Sequence, residues 1–166
     1  MAKDALGHGS DARGEEHENT SMEAEKASVN AYGATRAAER APDFGKRGAH
    51  EHAAELHDRA ASLSLVSNEH ASHVAQAETH RAYAASEKAR REPTPENHRA
   101  ALEAHKKAED AHDQAQLAHS HFPHLGSSAR WADRHAKQMD EHQAMQTFHS
   151  MSARGEKARL PRANRN

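Results

Sequence analysis

The sequence predicts an all-α protein: an antiparallel bundle, or extended hairpins, of four to five helices joined along alanine-rich heptad seams. Two spacings and one compositional fact carry that prediction. Ala101, Ala104, Ala108, Ala111, Ala115 and Ala118 fall at alternating steps of three and four, which keeps them on a single stripe of a helix. Beside them His98, His105, His112 and His119 recur every seventh residue. A strict heptad holds such a stripe against a partner through slight supercoiling, as in a coiled coil. The composition is alanine-rich, with no isoleucine and three valines, a net charge of −2, 5 Pro and 8 Gly. Disordered chains poor in large apolar residues carry a large net charge or much Pro and Gly, so ordered helices around a thin core are expected.

Met1 to Asn19 lacks periodicity and contains Gly7-His8-Gly9-Ser10, so residues 1–19 are expected to form a flexible acidic arm. Thr20 with Glu23 fits a capping box, in which each side chain satisfies a free amide of the first turn. A first helix over 20–41 follows, with Ala24, Ala27, Ala31, Ala34, Ala38 and Ala41 in the three/four rhythm, and Pro42 ends it. A second helix over 47–91 carries Ala49, Ala53, Leu56, Ala60, Leu63, Ser67, His70, Val74, Ala77 and Ala84 on one track. It is either continuous, about 65 Å at 1.5 Å per residue, or broken near 64–68. At that point Leu63-Ser64-Leu65-Val66 is strand-like and Ser67-Asn68-Glu69 can cap a new helix.

Glu92-Pro93-Thr94-Pro95 is the clearest boundary: Thr94 caps, and Pro95 occupies the first helical position, where its missing amide costs nothing. The next helix spans 95–120. His121 to Gly126 is a turn, and the last helix covers 127–153 with Trp131, Ala132, His135, Met139, His142, Met145, Phe148 and His149 on its stripe. Trp131, Met139, Met145 and Phe148 are the expected anchors. Residues 154–166 form a basic tail, so the helical domain is 20–153.

Burying an alanine methyl yields only about 1 kcal/mol, against roughly 1.5–3 for a leucine side chain. The alanine seams therefore require close approach, and a homo-oligomer or packing on other proteins is expected. Without cysteine there is neither a disulfide framework nor thiolate chemistry. No apolar run approaches the length of a membrane span, and no secretory leader pattern opens the chain, which together predict a soluble protein. From Ser150 to Asn166 the sequence holds five bases and one acid. Phosphate or nucleic-acid contact by Arg154, Lys157, Arg159, Arg162 and Arg165 is the alternative to a solvated tail.

Seventeen histidines leave three uses open: hydrogen bonding across the seams, metal binding, and pH sensing. Histidines seven apart lie about 10 Å apart along a helix and cannot share one zinc. His70/His73, and His121/His124 in the turn, have the closer spacing that chelation of Zn or another divalent metal needs. His50-Glu51-His52 is followed by two alanines, so the zincin HExxH pattern fails. No glycine-rich phosphate loop, GxSxG or paired carboxylates in a plausible pocket are present, and no enzyme activity or cofactor is expected.

Gly7-His8-Gly9-Ser10 followed by Arg13-Gly14, with downstream pairs Ala104-His105, Ala111-His112 and Ala118-His119, resembles small uncharacterised Ala/His-rich helical proteins of tailed bacteriophages. The likeness covers the arm and Ala49 to about His149. It implies a phage origin and a virion or assembly role, with synthesis in the host cytoplasm, and it brings no catalytic residues.

Overall fold

A computed structural model describes residues 9–120 and 129–161, folded as α1 (Gly9–Arg40), α2 (Asp43–Leu63), α3 (Ser67–Arg91), α4 (Pro95–Ser120) and α5 (Ala129–Arg159). The all-α class is as the sequence indicates. Each helix packs on the next: α1 on α2, α2 on α3, α3 on α4, and α4 on α5.

Proline and turn chemistry set the internal boundaries. Pro42 is the N-cap of α2, and its carbonyl accepts from the Gly45 amide at 2.9 Å. The stretch 64–66 does break the second predicted helix. Ser64 is the C-cap of α2 and Val66 the N-cap of α3, so Ser67 is the first residue of the new helix and not its cap. His70 closes this hairpin, its ring Nδ1 donating to the Ala61 carbonyl at 2.9 Å. At the next boundary Thr94 caps α4, its hydroxyl oxygen accepting from the Asn97 amide at 3.2 Å.

Both outer helices are longer than their sequence signals suggest. α1 runs from Gly9, so the expected arm 1–19 is helical from that residue onward, and Thr20 and Glu23 lie within the helix. Between Gly9 and Thr20 there is no proline, and Glu15, Glu16 and Glu18 are helix formers suited to an N-terminal half. α5 continues past residue 153 to Arg159, absorbing the start of the predicted basic tail. Gly155 costs about 1 kcal/mol relative to alanine in a helix, but the turn around it has partners on α4. Leu160 and Ala153 cluster with Leu102, and Glu156 is buried against His98.

The seams are built of alanine. Ala27, Ala31, Ala38, Ala101, Ala108 and Ala115 are buried, while Ala24, Ala34, Ala104, Ala111 and Ala118 flank them half-buried. Ala27, Ala31 and Ala60 form one cluster with Leu56 and Leu63 against it. The expected anchors do not dominate. Phe148 is 42% exposed, Met139 and Met145 are half-buried, and the Trp131 side chain lies outside the described residues. The face that α5 buries carries His142, His149, Ala153 and Glu156 instead. The heptad puts His142 and His149, the second of them one residue past Phe148, directly over the seam.

Candidate functional site: two histidine–hydroxyl junctions

The buried polar side chains gather where three helices meet, and they do so twice. In the first junction α1 supplies Ser28 and Thr35, α2 supplies His50 and His57, and α3 supplies His73 and His80. In the second, α3 supplies Ser72, Thr79 and Ser86, α4 supplies His105, His112 and His119, and α5 supplies His142 and His149. Ser28, Thr35 and the three hydroxyls of α3 stand seven residues apart, as do the histidines on each helix, so every element presents its polar row on one stripe.

Each contact of the first junction has a counterpart in the second, which adds the bonds of Ser86 and His119. Thr35 Oγ1 meets Nε2 of both His57 and His80 at 2.9 Å. Thr79 Oγ1 meets Nε2 of His112 at 2.8 Å and of His149 at 3.1 Å. The imidazoles then pair through Nδ1: His57 with His73 at 3.0 Å and His50 with His80 at 2.9 Å. In the second junction His112 pairs with His142, and His105 with His149, both at 2.9 Å. The outer nitrogens reach serines. His73 Nε2 meets Ser28 at 2.9 Å, His142 Nε2 meets Ser72 at 3.1 Å, and His105 Nε2 meets Ser86 at 2.8 Å. Ser72 also holds His119 Nε2 at 2.9 Å, and the Asn68 amide nitrogen approaches His119 Nδ1 at 3.4 Å.

The direction of every bond follows from the two threonines. Each hydroxyl has one proton, and each donates it back to a helix carbonyl: Thr79 to Ala75 at 3.0 Å, Thr35 to Ala31 at 3.3 Å. Both threonine oxygens are therefore pure acceptors toward the rings, and His57, His80, His112 and His149 must carry their proton on Nε2. Their Nδ1 atoms are then acceptors, so His73, His50, His142 and His105 carry theirs on Nδ1. The Nε2 atoms of His73, His142 and His105 accept from Ser28, Ser72 and Ser86. His119, donating from Nε2 to Ser72, accepts at Nδ1 from Asn68. One assignment satisfies all these contacts, with Asn68 Oδ1 left as a buried acceptor without a partner among the described residues.

Burial makes the neutral rings stable as such. His57, His80, His112 and His149 are at most 2% exposed. Burial, reinforced by neighbouring imidazoles, lowers His57 and His112 from 6.5 to about 3. His80, His142 and His149 fall to about 4 for the same reasons. His73, His50 and His105 are also lowered, chiefly by burial; in His105 the charge of Glu156 works the other way. The two rings that share each threonine stack on one another, His57 on His80 at 5.6 Å and His112 on His149 at 5.7 Å between centroids. Tyr83 lies between the junctions, 5.1 Å from His50 and 6.0 Å from His149.

No protein-family model, curated protein or solved structure matches this chain. Its chemistry therefore rests on the geometry alone.

Two capabilities can be weighed on that geometry. Ser86, His105 and His149 stand in the order nucleophile, base and orienting group, with Ser86 at the edge of a cavity of about 430 Å³ that His98, Arg90 and Arg159 also line. However, Ser86 is inside α3, where the peptide N–H groups are committed to the helix and offer no paired donors to an oxyanion. The same array recurs at Ser28 and Ser72, which marks it as repeated construction. Passage of a proton along the chain of rings is blocked at Thr35 and Thr79, because both flanking imidazoles point N–H groups at a hydroxyl already committed to a carbonyl.

The sequence-derived metal candidates do not converge. His70 caps α2, while His73 is occupied by Ser28 and His57; His121 and His124 lie outside the described residues. Among the described residues no group of three or more His, Cys, Asp or Glu is placed to hold a metal ion, and no helix is long and apolar enough to cross a membrane. Of the proposed phosphate-contacting bases, Arg159 pairs with Glu156 at 2.7 Å. Arg154 and Lys157 are exposed, and Arg162 and Arg165 lie outside the described residues. Sequence reasoning missed the hydroxyl partners. The signal was present as Ser72-His73 and Thr79-His80, a hydroxyl–histidine dipeptide repeated at seven residues.

Proposed function

We propose that the chain is a non-enzymatic helical structural or assembly protein of a tailed phage, a virion component that acts by helix packing and oligomerisation. One observation supports this reading above others: the imidazoles, the chain's most reactive abundant side chains, are directed at one another and at helix hydroxyls. Their hydrogen bonds tie α1 to α3, α2 to α3, α3 to α5 and α4 to α5, so the chemistry is invested in holding helices in register. The resemblance carried by the Gly7–Ser10 arm and the Ala-His pairs adds the phage context. Alanine seams bury little apolar area per residue, which favours stabilisation by a second copy or by other virion proteins.

The test is size-exclusion chromatography with light scattering on untagged protein, with metal measured in the same peak. A metal-free, defined oligomer is expected, together with recovery of the chain's peptides from purified particles of the phage that encodes it. A stoichiometric metal that leaves with chelator and dissolves the oligomer would replace this reading with a metal-binding one. A metal-free monomer absent from particles would refute it.

A further inference from the structure

Four imidazole pairs, His57–His73, His50–His80, His112–His142 and His105–His149, cross the α2–α3 and α4–α5 interfaces through Nδ1 contacts of 2.9–3.0 Å. We propose that these pairs form an acid-operated latch: they hold the helices together while neutral and drive the hairpins apart when both members of a pair gain a proton. This reading concerns contacts within one chain and stands independently of any oligomer or virion role.

Each neutral pair shares one Nδ1 proton. A first added proton is accommodated, because an imidazolium can donate Nδ1–H to its partner. In three of the pairs the partner, His73, His142 or His105, then carries its proton on Nε2 and donates to a serine that rotates its own hydroxyl away. A second proton places N–H against N–H and two like charges within 3 Å, with no tautomer left that relieves the conflict. Thr35 and Thr79 each accept from two pairs, so the loss of one pair removes a hydrogen bond that orients the next.

Among the described residues, none of the hydrogen bonds of these eight rings goes to a carboxylate. Facing the first junction are Tyr32 from α1 and Tyr83 from α3, both with hydroxyls shifted further toward the neutral form by burial. The charges acting on His50 are Lys46 on α2, Glu87 on α3 and Glu39 on α1, and His70 acts on His73. In the second junction Glu156 of α5 acts on His105, and the charges acting on His112, His142 and His149 are those of other imidazoles. The surrounding seam is alanine, which offers little apolar area to resist separation.

The sign is fixed by burial. These rings bind protons more weakly folded than unfolded, where the value is about 6.5. Their stabilising effect is complete above that pH and falls away as pH drops toward the folded values of about 3 to 4.

The experiment is urea unfolding of the full chain, followed by circular dichroism at several pH values between 8 and 5. The slope of stability against pH gives the protons taken up on unfolding. Uptake of about six or more protons near pH 5.5, reversed on return to pH 8, is expected; carboxylates, with values near 4, add little there. Uptake of fewer than about two protons would overturn the proposal. So would nitrogen-15 spectra at pH 5.5 showing the paired rings doubly protonated while the helices remain intact.

Discussion

Replacing Thr79 by valine keeps the shape of the side chain and removes only the oxygen on which the second junction converges. Thr79 is 2% exposed, and the His112 and His149 rings that donate to it are fully buried. Both N–H groups lose their acceptor at once. Moving their protons to Nδ1 does not help, since that leaves two imidazole lone pairs facing a methyl group. A buried polar group without a partner costs about 1–3 kcal/mol, so two cost about 2–6. The added methyl returns about 1 kcal/mol at most. A net loss of about 1–5 kcal/mol follows, a large part of a typical total stability of about 5–15. The assay is urea denaturation at pH 8, where the imidazoles are neutral, with Ser86→Ala as the comparison. Ser86 donates a single bond at the edge of a cavity, where water can replace it, so its loss should cost under about 1 kcal/mol. A Thr79→Val variant within 0.5 kcal/mol of the parent, on the scale of ordinary surface changes, would refute the junction as drawn. So would Ser86→Ala proving the costlier change.

Nitrogen-15 spectra at pH 8 should place the proton on Nδ1 in His50, His73, His105 and His142 and on Nε2 in His57, His80, His112 and His149; finding Nε2–H throughout would contradict the threonine-directed order. The Ala108→Leu/Ala111→Leu double variant should lose at least about 1–3 kcal/mol through overpacking, and an unchanged melting temperature would show that these alanines tolerate a larger neighbour. Gly155→Ala should stabilise α5 by about 0.5–1 kcal/mol, because a methyl there meets nothing within 4 Å; thermal melting reads the gain. Removing the carboxylate with Glu156→Ala should cost about 1–3 kcal/mol by stripping His98 and Arg159 of their buried partner, and a neutral result in the same assay would count against that pairing.

The boundaries at Pro42 and at Pro93–Pro95 were legible because they depend on covalent facts, whereas the break at 64–66, which holds no proline, left the number of helices at four or five. Pro42 and the Pro93–Pro95 segment cannot continue a helix whatever surrounds them. The alanine and histidine rows were legible because heptad spacing survives without coordinates. The outer ends of α1 and α5 were not: no proline marks Gly9, and Pro161, two residues past Arg159, says where α5 must stop but not that Glu156 holds its last turns through His98, a partner 58 residues away. Phe148 looked like an anchor because large apolar residues usually are, yet the position beside it carries the ring that the junction needs. The hydroxyls of Ser28, Thr35, Ser72, Thr79 and Ser86 passed unremarked for a related reason. An isolated serine or threonine in a helix is commonplace, and its meaning appears only when a third helix brings histidines to it.

α3 is the one helix that both gives and receives. Its Ser72 and Thr79 serve the second junction, while His73 and His80, one residue further on, serve the first. α1 has hydroxyls followed by Val29 and Arg36, and α5 has histidines preceded by Glu141 and Phe148, so each outer helix speaks half of the code. The architecture is thus a sentence with a beginning, a repeatable middle and an end. A second copy of the α2–α3 hairpin, placed after the first, would accept hydroxyls from the original α3 and offer its own to α4 and α5. Duplicating either terminal pair, α1–α2 or α4–α5, would instead leave a row of imidazoles unanswered.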